Sequence, residues 1–218
     1  MADQQAFIDR VRRALKREAS SPAPTSPPVI DEPMVRLVHS DIGLPELFSR
    51  MANAAKIGAT LLRVENLLDQ LIGALRARRV RTIGVSRGGL LDKLALPASL
   101  REAGFDVRSW DELSREQLYA LDCGLTDAWA AIAETGSIVI RSSPQHGRSL
   151  SLVPPLHIAI IEPKNIVPDL VDLMPRITAA GDNPGTVLIT GPSKTADIEM
   201  NLVTGVHGPG EVLAFVLN

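Results

Sequence analysis

Leu156-His157-Ile158-Ala159-Ile160-Ile161 reads as one continuous apolar run of six residues. A strand of this kind, without polar alternation, belongs inside a sheet covered on both faces. Downstream the spacing predicts a helix over 166–179, a strand over 186–189 and a closing strand over 212–217. Upstream it predicts helices over 44–57, 67–78 and 97–103, the last stopped by Gly104. A further Ala-rich helix is expected over 125–134, ended by Gly136. Short strands fall at 60–64, 82–85, 107–110 and 137–140. Strands and helices that alternate in this way make an α/β fold. The step from Ile140 to Leu156 has no helix, so the expected sheet is mixed, mostly parallel, with helices on both faces.

The expected organisation has three parts. Phe7, Ile8, Val11, Ala14 and Leu15 recur at helical spacing and mark an N-terminal helix within 1–19. Pro22, Pro24, Pro27, Pro28 and Pro33 make 20–33 a semi-extended linker. The main domain occupies 34–218.

Composition narrows the function. Hydrophobic residues are 45% and charged residues 22%, enough to build and solvate a core, which must rest on Leu, Ile, Val and Ala because aromatics are only 3%. Scarce aromatics and a net charge of −2 argue against nucleic-acid binding. The cluster Arg76, Arg78, Arg79 and Arg81 reads as a solvated helix end. Cys123 is the single cysteine, so this chain cannot hold an iron–sulfur cluster or a Cys-rich zinc site. His39, His146 and His157 show no metal-ligand spacing, and neither a metal nor another cofactor is expected. No apolar run is long enough to span a bilayer, and charges interrupt the N-terminus, so a cytoplasmic location is expected.

Four segments carry residue types suited to chemistry. Ser86-Arg87-Gly88-Gly89 follows a strand, and Ser86 and Arg87 suit an anion; a plain turn with a surface arginine is the alternative. In Glu134-Thr135-Gly136-Ser137 the carboxylate falls at an expected helix end, where the dipole disfavours its charge and favours acid–base or covalent work; a solvated glutamate is the alternative. The third segment, 189–199, gathers Gly191, Ser193, Lys194, Thr195, Asp197 and Glu199 after a strand. It lacks the spacing of a phosphate-binding P-loop, but Lys194 can neutralise a phosphate or carboxylate. The fourth, 202–210, sets His207 among Gly205, Gly208 and Gly210. Histidine is a residue type suited to acid or base work, and His207 is a candidate for it, whereas a connecting loop is the alternative. The expected pairing is Glu134 and His207 as proton-transfer groups, with the remaining residues binding ligand.

The third and fourth segments together resemble the C-terminal signature of the lactate-utilization protein C (LUD-domain) family. Ala133-Glu134-Thr135-Gly136-Ser137 matches that family's middle motif, and Leu152-Val153-Pro154-Pro155-Leu156-His157-Ile158-Ala159 its next strand. The match covers most of 120–217 and departs at Glu211-Val212-Leu213-Ala214-Phe215, where members often carry a basic residue and a Leu-His pair. The resemblance implies a NagB/RpiA/CoA transferase-like fold. It implies a non-iron–sulfur subunit of a multi-protein system oxidising L-lactate to pyruvate, with iron–sulfur-binding partner proteins. The alternative is a stand-alone enzyme acting on a small phosphorylated, folate- or CoA-linked acid. A small anionic ligand and homo-oligomer formation are compatible with both.

Overall fold

The structure, a computed structural model of the chain, describes residues 2–16, 43–181, 185–195 and 203–218. The chain forms two units, Met1–Val35 and Arg36–Asn218. In the first, helix α1 spans Ala2–Ala14, with Arg12 and Arg13 in its last turn. The linker expected over 20–33 lies outside the described residues.

The second unit is built on a six-stranded sheet in which every pairing is parallel. Its strands are β1 (Gly58–Leu62), β2 (Thr82–Val85), β3 (Asp106–Ser109), β4 (Cys123–Asp127), β7 (Leu156–Ile161) and β12 (Glu211–Leu217), in the order β1-β12-β7-β4-β2-β3. The antiparallel pairings expected within one mixed sheet are segregated. A second sheet of four strands holds β5 (Ala130–Ile132), β6 (Ser137–Arg141), β8 (Ile166–Val167) and β9 (Thr186–Ile189) in the order β8-β5-β6-β9. Strands β10 (Lys194–Thr195) and β11 (Val203–Thr204) form a separate antiparallel pair.

The helices are α2 (Leu44–Ala54), α3 (Val64–Ala77), α4 (Leu90–Lys93), α5 (Leu96–Glu102), α6 (Arg115–Tyr119) and α7 (Leu170–Ala179). Alternation along the buried strands sorts side chains between two cores. Leu156, Ile158, Ile160, Leu213, Phe215 and Leu217 meet Leu67, Leu71 and Leu75 of α3 and the leucines of α4 and α5. On the opposite face Ala159, Ile161, Val212, Ala214 and Val216 meet Leu47, Phe48 and Ala52 of α2, together with Ala131, Ile138 and Ile140 of the second sheet. That face is therefore covered largely by strands rather than by helices alone. The outer face of the second sheet, with Ile132 and Val139, packs with Leu173 of α7.

The helix expected over 125–134 is instead β4 and β5. Ala128, Ala130, Ala131 and Ala133 are all buried. Small side chains there let two sheets close on each other, and that burial outweighs the helix propensity of alanine. The helix expected from Ile166 begins only at Leu170, because Ile166–Val167 pairs with β5 and the Asp169 carboxylate caps α7 by accepting from Asp172 N–H at 3.0 Å.

The order of the strands marks a candidate site. From β2 the chain steps outward to the edge strand β3; from β4 it moves the other way, to β7 and then β12. Because β2 and β4 are neighbours, the chain diverges between them, and the crevice outside their carboxyl ends is where open parallel sheets receive ligands.

Candidate functional site at the diverging strands

Ser86 directly follows β2, Trp110 follows β3, Asp127 ends β4 and Glu162 follows β7, so four strand ends converge on one edge. A cleft of about 1020 Å³ opens there, walled by Trp110, Asp127, Ser143, His146, Trp129 and Arg141 among others. Both tryptophans of the chain line it.

Asp127 forms its floor. The Ser86 hydroxyl donates to Oδ1 at 3.0 Å, Leu90 N–H donates to Oδ2 at 2.9 Å, and His146 Nε2 stands 3.1 Å from Oδ1. The loop over the carboxylate comes so close that a Cβ on Gly89 would fall 2.0 Å from Oδ2. Burial pushes this carboxyl up, but the hydrogen bonds from His146, Leu90 and Ser86 and the charge of the imidazole together outweigh it and hold the pKa down at about 2. Asp127 is thus a fixed anion.

His146 reaches Asp127 from a turn that follows β6. Ser143 and His146 pair through their backbones in both directions, at 3.0 and 3.1 Å. The Ser143 hydroxyl oxygen also accepts from the N–H groups of Gln145 (3.2 Å) and His146 (3.1 Å), and it lies 3.0 Å from His146 Nδ1. Trp110 supports the turn by donating from Nε1 to the Pro144 carbonyl at 3.3 Å. A neutral imidazole that donates from Nε2 to the Asp127 carboxylate leaves Nδ1, at 3.0 Å, as the nearer acceptor for the Ser143 proton, with Gln145 Oε1 at 3.4 Å as the other. The order Asp127–His146–Ser143 is that of a charge-oriented base beside a hydroxyl.

Also lining the cleft, the Arg141 guanidinium lies 5.2 Å from the centre of the Trp129 ring. Its Nη2 donates to the carbonyls of Ala180 and Gly181 at 3.0 and 2.6 Å, and its buried Nε has no hydrogen-bond partner. No carboxylate pairs with Arg141 among the described residues. Lys164 at the rim is paired with Glu162 at 2.8 Å.

The residues singled out from sequence separate into two groups. Ser86 is buried behind the cleft and supports Asp127 from there, its hydroxyl donating to Oδ1. Arg87 turns to the exposed rim and pairs with Asp111 at 3.2 Å and Glu112 at 3.8 Å. The loop amides serve the chain's own carboxylates, since Gly88 N–H donates to Asp92 at 2.6 Å and Leu90 N–H to Asp127 at 2.9 Å.

The second group sits elsewhere. Glu134 lies in the tight turn between β5 and β6, so the helix end on which its expected role rested is not there; its N–H donates to the Pro168 carbonyl at 2.9 Å. The hydroxyls of Thr135, Ser137 and Thr190 form a chain with links of 2.6 and 2.7 Å. Gly136 has φ +65°, and a Cβ there would fall 2.1 Å from the Ala52 nitrogen of α2. One at Gly191 would fall 2.5 Å from the Ala55 carbonyl oxygen just beyond α2. Ser193 N–H donates to the Pro209 carbonyl at 2.8 Å, and Gly205 N–H to the Ser193 carbonyl at 2.9 Å. Gly208 lies against the Ser193 side chain. In the β10–β11 pair, Lys194 stands opposite Thr204, and Thr195 opposite Val203. His207 is exposed. Asp197 and Glu199 lie outside the described residues.

Loops three and four therefore meet, at the amino end of the main sheet, where Gly210 N–H donates to the Pro155 carbonyl just before β7. No hydrogen bond or ion pair joins Glu134, Lys194 and His207 among the described residues. Strand β6 runs from Ser137 in this group to Arg141 in the cleft, four steps of about 3.3 Å, or roughly 13 Å. The cleft residues Asp127, Ser143, His146, Trp129 and Arg141 escaped the sequence reading. Treating 123–127 as a strand would have put Asp127 at its carboxyl end, the position where ligand-facing residues occur.

Comparison with known proteins agrees with this architecture. A DUF162 family protein from Deinococcus radiodurans superposes with a TM-score of 0.61 at 26% identity, over 80% of this chain and 96% of that one. The lactate utilization protein C of Halalkalibacterium halodurans is 36% identical over 67% of this chain and 66% of its own length. That of Bacillus subtilis is 30% identical over 95% of this chain and 92% of its own. The model of the LUD domain family matches residues 77–217, a span that includes β2 through β12 and every residue of the cleft, and the chain belongs to that family.

Proposed function

We propose that this protein is the non-iron–sulfur subunit of a multi-protein system that oxidises L-lactate to pyruvate in the cytoplasm. The observation that carries the reading is near full-length similarity to proteins named for lactate utilization. The cleft supports it, because Arg141 offers a guanidinium without a carboxylate partner among the described residues, on the wall of a space large enough for a small carboxylate. Cys123 supports the division of labour. It is fully buried in β4, and burial, with the neighbouring Asp122, pushes its thiol far above the ordinary range, so it is a core side chain and not a cluster ligand. Electrons then pass through iron–sulfur-binding partners. Among the described residues no helix is long and apolar enough to cross a membrane.

Growth tests this directly. A strain lacking the gene is expected to fail on L-lactate as sole carbon source and to grow normally on pyruvate, and the tagged protein is expected to copurify with Cys-rich partners. Normal growth of the deletion strain on L-lactate would overturn the reading.

A further inference from the structure

The cleft holds a serine hydroxyl set against an imidazole that is itself set against a half-buried carboxylate. We propose that Ser143 is the nucleophile of an acyl-transfer site, with His146 as its base, acting on an ester or thioester of a small acid that carries a second negative charge. The proposal does not rest on the lactate-utilization role.

Three features converge on it. The relay is continuous, from Asp127 Oδ1 to His146 Nε2 at 3.1 Å and from His146 Nδ1 to Ser143 Oγ at 3.0 Å. Both imidazole nitrogens are thereby engaged, so the relay ends at the hydroxyl of Ser143, which lines the cleft. The relay is also rigid. Asp127 is clamped by the Ser86 hydroxyl and Leu90 N–H, and the 143–146 turn is closed by two backbone hydrogen bonds. The Gln145 and His146 N–H groups, which donate to Ser143 Oγ, fix the position of the hydroxyl. The third feature is the anion anchor. The chain stays paired beyond β6, Ser142 N–H donating to the Gly185 carbonyl at 3.0 Å, so Arg141 and Ser143, two residues apart on extended backbone, line the same cleft. A charged group bound at Arg141 brings an acyl carbon one short carbon chain away to Ser143.

The chemistry balances without an oxidant or metal. Ser143 Oγ bonds to the acyl carbon as its proton passes to His146 Nδ1. The carbon–oxygen or carbon–sulfur bond of the substrate breaks, and His146 returns that proton to the departing alcohol or thiol. Water then attacks the acyl-Ser143 carbon, gives a proton to His146, and the Ser143 oxygen leaves and takes it back. The net change is ester plus water to acid plus alcohol, or the thioester equivalent. Asp127 touches no reacting atom and serves as a positioning residue.

The purified full-length wild-type chain is treated with a fluorophosphonate probe and analysed by intact mass and peptide mapping. One label per chain, on Ser143, is expected. His146→Ala, checked for an unchanged melt, is expected to label ~100-fold more slowly. Hydrolysis of p-nitrophenyl succinate, which keeps a carboxylate, should exceed that of p-nitrophenyl acetate, and Arg141→Gln should raise KM for the first ester alone. An unlabelled Ser143 in folded wild-type protein would overturn the proposal, and that result needs no variant. So would a label that His146→Ala leaves unchanged, or one found on another residue. None of these outcomes bears on growth on L-lactate, which tests the other role separately.

Discussion

His146 and His157 look alike in the sequence, as histidines without metal-ligand spacing, yet they face opposite conditions. His146 lies on a turn beside an anion, while His157 is fully buried in β7, with Nε2 2.9 Å from Thr126 Oγ1 and Nδ1 unpartnered. Burial pulls the His157 pKa down to about 3. The native state therefore holds a neutral ring where the unfolded chain, with an ordinary value near 6.5, takes up a proton. Stability is at its full value above about pH 6.5 and falls as pH drops toward 3, by on the order of 4 kcal/mol across that window. Asp127, whose folded pKa is depressed, withdraws its contribution only lower, as pH falls from the ordinary aspartate value toward about 2. Urea melts at stepped pH should show the first loss in the wild type and a nearly flat response between pH 6.5 and 4 in His157→Leu. A flat wild-type response would show that the ring is hydrated or charged in the folded state. No spacing in the sequence separates the two histidines, because strand pairing creates one environment and a remote carboxylate the other.

Elements defined by local periodicity were legible, and those defined by distant partners were not. Strands β7 and β9 fall where their apolar runs put them, and α2, α3 and α5 lie within a few residues of their expected bounds. Residues 125–134 went wrong because alanine has no periodic signature of its own; only the opposing sheet decides that it is strand. The same physics makes two glycines respond oppositely to one substitution. Gly136 closes the β5–β6 hairpin at φ +65°, and an added Cβ would strike the backbone at Ala52. Left-handed backbone and overpacking add, so Gly136→Ala should cost about 3 kcal/mol or more. Gly73 is exposed within α3, and a Cβ there meets nothing within 4 Å. Gly73→Ala should stabilise by about 0.5–1 kcal/mol through helix propensity. Thermal melts read both: a fall of roughly 10 °C for the first and a small rise for the second. An unchanged melt for Gly136→Ala would mean that the hairpin moves away from α2 at little cost.

At the scale of the molecule, the cooperative unit is set by where the core residues come from. Within the second unit, all three buried clusters draw their members from the stretch between Leu47 and Leu217. The six-stranded sheet closes within the same stretch, since β12 at the end of the chain inserts between β1 and β7. The sheet is therefore expected to melt as one unit, because among the described residues β1 pairs with β12 and no other strand, and β12 and β4 flank β7. Five prolines between Pro22 and Pro33 mark the sequence boundary between the N-terminal segment and this unit. A chain beginning at Met34 is therefore expected to melt in one transition within a few degrees of the full-length protein, to keep its far-ultraviolet spectrum apart from the loss of one helix, and to label at Ser143 at the same rate. Removing β12 by ending the chain at Gly210 should abolish the transition altogether, since it strands β1 and uncovers both main cores. A melt that broadens or falls sharply in the chain beginning at Met34 would show that α1 contributes to the same cooperative unit.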